Sequence, residues 1–200
     1  APLVTGYGAH RVPSQRVRPD LPVGRHRPPI PAPFITVTRE PSMMLVPLRS
    51  ELIPRVMDLM ALGEPYITMR TASDYWLYAT LFSSTCPVAV NEGRVVGAIV
   101  AFRSQDHPEQ VYIQDVVIHP DHRRRGLTRV LVTALRHRVE AWGCTQVSLT
   151  SEPDNTAAHA TWLTLGFTNR PGDFMVDDVQ VISDYKGPGK DRAVYDLLLE

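Results

Sequence analysis

The residues best suited to chemistry lie between Gln114 and Thr128, where an apolar stretch runs through a proline-marked turn into three arginines and a glycine. From Leu127 to Trp142 apolar residues recur at spacings of three and four, which predicts a helix directly after the turn. The first turn of a helix has N–H groups without intrahelical partners, and the peptide dipoles add positive charge there. Gly126 has no Cβ, so a ligand oxygen can come close to its backbone, and the arginines add positive charge. Together these features suit a diphosphate. A solvated surface turn is the alternative interpretation.

The elements that must position this turn alternate between strands and helices. The sequence predicts a first strand at 34–37 or 43–46 and a helix capped by Ser50 that runs through Met60, then a helix at 74–82. Further predictions are a hairpin of 88–90 with 95–102, strands at 111–118 and 146–150, helices at 126–142 and 156–165, and a final pair of strands at 179–182 and 193–199. Such an order predicts an α/β (α+β) fold, a mixed sheet with helices on both faces and ligands near the strand ends.

Residues 1–34 form a separate segment by composition, because they contain eight prolines and five arginines without apolar periodicity. Proline removes backbone donors and fixes φ, so we expect an extended or disordered arm followed by one domain at 35–200. The arm has two interpretations, a floppy tail or an element that wraps a partner subunit or borders the site.

Composition narrows the class of protein. Twenty-one basic and 21 acidic residues give no net charge, which argues against nucleic-acid binding, although the basic arm is a candidate contact. Two cysteines cannot build a disulfide framework, and we expect reduced thiols and a cytoplasmic location. The chain has no apolar run of about 18 residues, so we expect no membrane partner.

Three motifs occur in order across about 80 residues. They are the hairpin Asn91–Gly97, the stretch Arg123–Thr128 in the pattern R/Q-x-x-G-x-G/A, and Asn155-x-x-Ala158 followed by Gly166-Phe167. With these motifs the chain resembles the GCN5-related N-acetyltransferase (GNAT) superfamily. The resemblance implies a mostly antiparallel sheet whose middle strands splay apart around acetyl-CoA.

The resemblance also implies which residues hold acetyl-CoA. The pantetheine arm would follow Val116, Val117 and Ile118, and Asn155 would lie near the acetyl end. The pyrophosphate would rest on the loop and the helix start, formed by Arg123, Arg124, Arg125, Gly126, Leu127, Thr128 and Arg129.

The reaction implied is direct transfer of acetyl to an amine in a ternary complex. A base must take the amine proton, because few alkylammonium groups are neutral at pH 7. Asp115 is the first candidate and Glu152 the second, while Asp115 as a structural partner of a loop is the alternative. Strand alternation predicts that Gln114, where many relatives have glutamate, and Asp115 point to opposite faces.

Two residues depart from the superfamily pattern. Thr128 replaces a second Gly or Ala, and Trp162 stands where many relatives have a tyrosine that assists the departing thiolate. Indole cannot act as an acid, so CoA would leave as a thiolate or take a proton from His159 or water, and core packing is the alternative role of Trp162. These departures also allow a catalytically impaired CoA-binding sensor or scaffold.

The acceptor is expected to be the primary amine of a small molecule: an amino acid, a polyamine, or an amine-bearing metabolite or antibiotic. Loose similarity to diaminobutyrate acetyltransferases, carried by Tyr75–Tyr78, Val95–Gly97 and 111–117, favours a small amine or amino acid. A homodimer is possible in this superfamily. His119 and His122 have no third ligand at matching spacing, so no metal is expected. The basic turn Lys186–Arg192 has two interpretations, a solvated surface loop or a border of the acceptor site.

Overall fold

The computed structural model describes residues 43–200. The predicted arm at 1–34 and the alternative first strand at 34–37 lie outside the described residues. The helices are α1 (Ile53–Ala61), α2 (Ala72–Leu81), α3 (Leu127–Glu140) and α4 (Thr156–Thr164). The strands are β1 (Met43–Pro47), β2 (Pro87–Asn91), β3 (Arg94–Arg103), β4 (Gln110–Ile118), β5 (Gln146–Ser151), β6 (Thr168–Asn169), β7 (Phe174–Val176), β8 (Val179–Val181) and β9 (Ala193–Leu198).

Seven strands form one sheet in the order β1-β2-β3-β4-β5-β9-β6, and β7 and β8 form a separate hairpin. All neighbours in the large sheet are antiparallel except β4 and β5. The predicted fold class is therefore confirmed, including the mostly antiparallel sheet.

Helices cover both faces of the sheet, because alternate side chains of the central strands point in opposite directions. On one face, α1 and α2 bury side chains such as Val56, Met60 and Tyr75 against Val100 and Val117. The other face carries α3 and α4, whose buried side chains include Leu131, Leu135 and Trp162. These two apolar layers hold β4 between them.

A β-bulge interrupts β4 in the middle. Val100 of β3 pairs with Asp115 and Ala101 pairs with Ile113, so Gln114 has no partner on β3. The extra residue reverses the alternation of β4. As a result Asp115 shares its face with Val117, which belongs to the α1 and α2 layer.

The parallel strands β4 and β5 form a fork. Their pairing runs from Gln110 with Gln146 to Ile113 with Leu149, whereas β4 continues to Ile118 and β5 to Ser151. The two strands therefore separate at the bulge, as the predicted splay requires.

One sequence prediction of local structure is wrong. Ser50 does not cap a helix, because Ser50–Leu52 form a 3-10 turn and α1 begins at Ile53, where Pro54 suits a first helical turn. The final strands predicted at 179–182 and 193–199 are present as β8 and β9, but they do not pair along their length. The open edge of β9 is occupied by β6, so β8 pairs with β7, and a single bridge joins Ile182 to Arg192.

The helix predicted at 74–82 begins two residues earlier. Thr71 caps it, with the Asp74 backbone N–H donating to the Thr71 hydroxyl and the Asp74 carboxylate accepting from the Thr71 backbone N–H. Within residues 43–200, no helix combines the length and apolar character that a membrane span needs.

Candidate active site

The loop before α3 is shaped to hold an anion. Arg124 has φ 59° and Gly126 has φ 76°, so left-handed residues flank Arg125 immediately before the helix. Alternation of this kind can turn successive N–H groups toward one side, the arrangement found in anion-binding nests. A Cβ at Gly126 would meet no atom within 4 Å, so the space in front of the loop is open.

The four arginines of this segment have different contacts. Arg123 donates to the carbonyls of Ile118 at 3.1 Å and Leu62 at 3.4 Å, and Arg129 donates to the carbonyl of Thr164 at 3.1 Å. These two guanidinium groups fix the loop against the end of β4, the segment after α1, and α4. Arg124 and Arg125 are exposed. The loop therefore offers two outward cations in addition to its amides.

Gly97 of β3 sets the distance between the loop and the sheet. A Cβ there would lie 3.0 Å from the side chains of Ile118 and Leu131 and 3.2 Å from that of Leu127. The first turn of α3 can approach the sheet this closely because Gly97 has no side chain.

We expect Gly97→Val to lower the free energy of unfolding by about 1–3 kcal/mol, because overpacking forces the start of α3 outward. Gly97→Ala should show a smaller loss, since it adds one of the three carbons. Denaturant unfolding of the three proteins measures this order. A valine variant as stable as the wild type would show that the contact is not tight.

The strand edge beside the loop is free. Val116, Val117 and Ile118 pair with β3 on one side, but lie beyond the last β4–β5 pair, Ile113 with Leu149, on the other. Within residues 43–200, no strand pairs with this edge, so its backbone groups line the fork up to the loop before α3, where the Ile118 carbonyl accepts from Arg123. The structure thus brings together the residues predicted to hold the pantetheine arm and the diphosphate.

Residues of α4 close the other side of the fork. The Asn155 carboxamide oxygen accepts from the backbone N–H of Ala158 at 3.1 Å and caps α4. Trp162 is buried and its indole N–H donates to the Ser151 hydroxyl at 3.0 Å, while its ring packs edge-on against Phe167. His159 is hydrogen-bonded to the hydroxyl of Tyr195 at 2.8 Å. Trp162 therefore has the core-packing role that was the alternative interpretation.

Asp115 is the buried carboxylate of the site, with 7% of its surface exposed. Burial raises its pKa above the ordinary value of 3.8, and Arg70, the Gln114 side chain and Lys186 lower the pKa by less. The prediction that Gln114 and Asp115 point to opposite faces is wrong, because the bulge brings the two side chains together. A carboxylate with a raised pKa is a stronger base than an exposed one.

Tyr75 lies beside Asp115 on the α1 and α2 face. Burial, and then the Asp115 charge, raise the pKa of this phenol to about 12. Tyr75 therefore keeps its proton at neutral pH and remains a hydrogen-bond donor next to the carboxylate.

Glu152, the second candidate base, is held by another group. Its two oxygens form a bidentate ion pair with the Arg192 guanidinium, at 2.9 and 3.0 Å. This pair joins the end of β5 to the residue before β9.

Three residues around Asp115 were not predicted as site residues: Arg70, Tyr75 and Lys186. Arg70 directly precedes the capping box of α2, and that Thr71-x-x-Asp74 pattern was the available signal for where this segment turns. For Lys186 the available signal was only the basic turn Lys186–Arg192, with a border of the acceptor site as one of its two interpretations.

Among the described residues, no group of three His, Cys, Asp or Glu side chains is placed to share an ion. The rings of His119 and His122 lie 6.0 Å apart, centroid to centroid.

Comparisons with known proteins agree with this geometry. A model of the acetyltransferase (GNAT) family matches residues 55–167. An L-2,4-diaminobutyric acid acetyltransferase of Nocardia farcinica is 34% identical over 86 residues, 43% of this chain and 45% of that protein. The N-alpha-acetyltransferase MAK3 of Arabidopsis thaliana is 33% identical over 120 residues, 58% of this chain and 60% of that protein. The chain thus spans about half the length of the curated relatives it matches.

A solved structure is similar over more of the chain. Diaminobutyrate acetyltransferase EctA from Paenibacillus lautus, in complex with L-2,4-diaminobutyric acid and coenzyme A, has a TM-score of 0.64 at 23% identity. The match covers 77% of this chain and 93% of that one. At this identity the similarity shows the fold.

Proposed function

The chain belongs to the acetyltransferase (GNAT) family, and we propose that it transfers acetyl from acetyl-CoA to the primary amine of a small molecule. The acceptor class includes amino acids, and diaminobutyrate is the first to test because relatives are named for it.

One observation carries the proposal. The loop before α3, with its two residues of positive φ, lies at one end of a strand edge that no other strand of the described chain pairs with, and a buried carboxylate lies at the other end. Arg124 and Gly126 shape the loop, Val116–Ile118 form the edge, and Asp115 directly precedes them on the same strand. The diphosphate of CoA suits the loop and its two outward arginines, and the pantetheine amides suit the free strand edge.

Acetyl-CoA supplies an activated acyl carbon. The chain's residues then position the amine and accept its proton. Asp115 takes a proton from the ammonium, and the lone pair this frees on nitrogen bonds to the acyl carbon. The carbon–sulfur bond then breaks with its electron pair on sulfur, and the second proton of the nitrogen passes to water. CoA departs as a thiolate, which its thiol acidity permits at modest cost, and Asp115 returns the proton to water. Trp162 takes no part in proton transfer, because its N–H is donated to Ser151.

The test is a thiol-release assay with acetyl-CoA and a panel of amino acids, polyamines and aminoglycosides, with mass detection of the N-acetylated product. We expect amine-dependent release of CoA and a matching acetylated amine. Measured CoA binding without release across the panel would favour the sensor or scaffold alternative.

Glu152 is assigned a positioning role because Arg192 occupies both of its oxygens. We expect Glu152→Gln to lower kcat/KM by less than about tenfold, well below the effect of losing a general base. Steady-state kinetics measure the change, and Asp115→Asn is the comparison. A loss of kcat/KM on the order of 100-fold or more would show that Glu152 is the general base.

A further inference from the structure

The face of the fork that carries Asp115 holds more unsatisfied polar atoms than an apolar layer normally contains. Asp115 Oδ2, Tyr75 OH and Arg70 Nε are buried and make no hydrogen bond within the described chain. Arg70 Nε and Asp115 Oδ2 form an ion pair at 3.6 Å, longer than an ordinary hydrogen bond. Buried polar groups are nearly always hydrogen-bonded, so a long ion pair beside a buried phenol without a partner in the described chain indicates room for a polar ligand.

Two cations from separate parts of the chain face this carboxylate. Arg70 lies between α1 and α2, and Lys186 lies in the loop between β8 and β9, with its ammonium 5.2 Å from the centre of the Tyr112 ring. Arg70 lies 3.6 Å from Asp115 and Lys186 lies over Tyr112 of the same strand, and both positive charges lower the pKa of Asp115. The Tyr112 hydroxyl in turn is hydrogen-bonded to Thr150 at 2.9 Å, across the root of the fork.

The charges around Asp115 do not balance. The other carboxylate near Arg70 is that of Asp74, and its Oδ2 already accepts from the Thr71 backbone N–H at 2.9 Å and the Thr71 hydroxyl at 2.8 Å. Within residues 43–200, Asp115 is the one buried carboxylate, and Arg70 lies 3.6 Å from it. Proton transfer from the amine to Asp115 leaves the total charge of the site unchanged, so the positive charge of Arg70 and Lys186 is still not offset. A second anion at this place would restore neutrality.

We infer that the acceptor is an amine that also carries a carboxylate, and that Arg70 and Lys186 bind this carboxylate while Asp115 faces the amine. This inference rests on the proposed function and narrows its acceptor class. The guanidinium of Arg70 and the ammonium of Lys186 are suited to a carboxylate. Charge-assisted hydrogen bonds of this kind are stronger than those between neutral groups. A polyamine or an aminoglycoside would add positive charge beside two cations.

The experiment compares amino acids with the amines left when their carboxylate is removed: 2,4-diaminobutyrate with 1,3-diaminopropane, ornithine with putrescine, and lysine with cadaverine. For the wild type we expect kcat/KM to favour the amino acid by at least about tenfold in each pair that reacts, roughly the value of one charge-assisted hydrogen bond. Arg70→Gln and Lys186→Gln should each reduce this preference several-fold. Lys190→Gln, which changes an exposed lysine of the same loop, should leave the preference unchanged.

The ratio within a pair separates acceptor recognition from a general loss of activity or folding, because both amines meet the same variant. Lys186 is exposed, so its variant keeps the test valid if Arg70→Gln folds poorly. Amine-dependent CoA release without a preference, or a preference that survives both variants, would overturn this inference and leave the proposed function intact. Absence of release with every member of the panel would overturn the proposed function and this inference with it.

Discussion

Replacing Asp115 by asparagine is expected to lower kcat/KM for the acceptor amine by about 10²- to 10⁴-fold, the usual contribution of a general base. Asparagine keeps the shape of the side chain but cannot take a proton. Binding of acetyl-CoA should be little changed, because the anion loop and the free edge of β4 are untouched. Thiol-release kinetics and a CoA binding titration on the same protein measure the two effects.

The same substitution should not weaken the fold. Because the folded-state pKa of Asp115 is raised above 3.8, the folded protein binds this proton more tightly than the unfolded chain. The free energy of unfolding therefore falls as pH rises from about 4 through the folded-state pKa, and Asp115→Asn removes this fall. In thermal unfolding across this pH window, the Tm of the variant should increase relative to that of the wild type as pH rises.

Asp178→Asn is the matched control, since Asp178 is an exposed carboxylate in the turn between β7 and β8. It should change neither the rate nor the pH dependence of stability. An Asp115→Asn variant that retains activity within tenfold of the wild type would show that Asp115 is only a structural partner, the alternative role named for it from the sequence.

Placing an aspartate at Gly126 is expected to weaken acetyl-CoA binding by on the order of 100-fold. A carboxylate about 4 Å from a diphosphate costs between roughly 1 and 4 kcal/mol as the effective dielectric falls from that of water to that of a protein surface. The side chain would also occupy the open space in front of the loop, and φ 76° is a strained conformation for a residue with a Cβ.

Gly126→Asn separates these causes. Asparagine has nearly the same shape as aspartate and tolerates the left-handed conformation, but it carries no charge. The difference in Kd between the two variants is the electrostatic part, and we expect it to shrink as salt concentration rises. Equal affinity of the Asp variant and the wild type for acetyl-CoA would show that the diphosphate does not bind at this loop.

Local features of the fold were predictable because their causes lie within a few residues of sequence. The turn between β2 and β3 is an example, where Glu92 and Gly93 both adopt positive φ, as a two-residue hairpin requires. The loop before α3 is another, since Gly126 and the helix that follows are adjacent. The short strands β6 and β7 were missed, because two or three residues are too few for a periodic pattern.

The acceptor side of the site was not predictable in the same way. The bulge at Gln114 depends on the register with β3, and it alone decides which face Asp115 occupies. Arg70 and Lys186 come from loops that are distant in sequence, and only the fold places Arg70 against Asp115 and Lys186 over Tyr112 of the same strand. Glu152 fits the sequence pattern of a candidate base, and only the fold brings its partner Arg192 against it.

The most direct measurement of the central claim is an initial-rate study in which acetyl-CoA and an accepted amine are both varied. Direct attack within a ternary complex requires both substrates on the enzyme before CoA leaves. We expect intersecting lines in double-reciprocal plots, an acetylated amine formed in step with CoA release, and no acetyl group on the protein when the amine is withheld. Parallel lines together with an acetylated protein would contradict direct transfer, and no amine-dependent CoA release would contradict the enzyme itself.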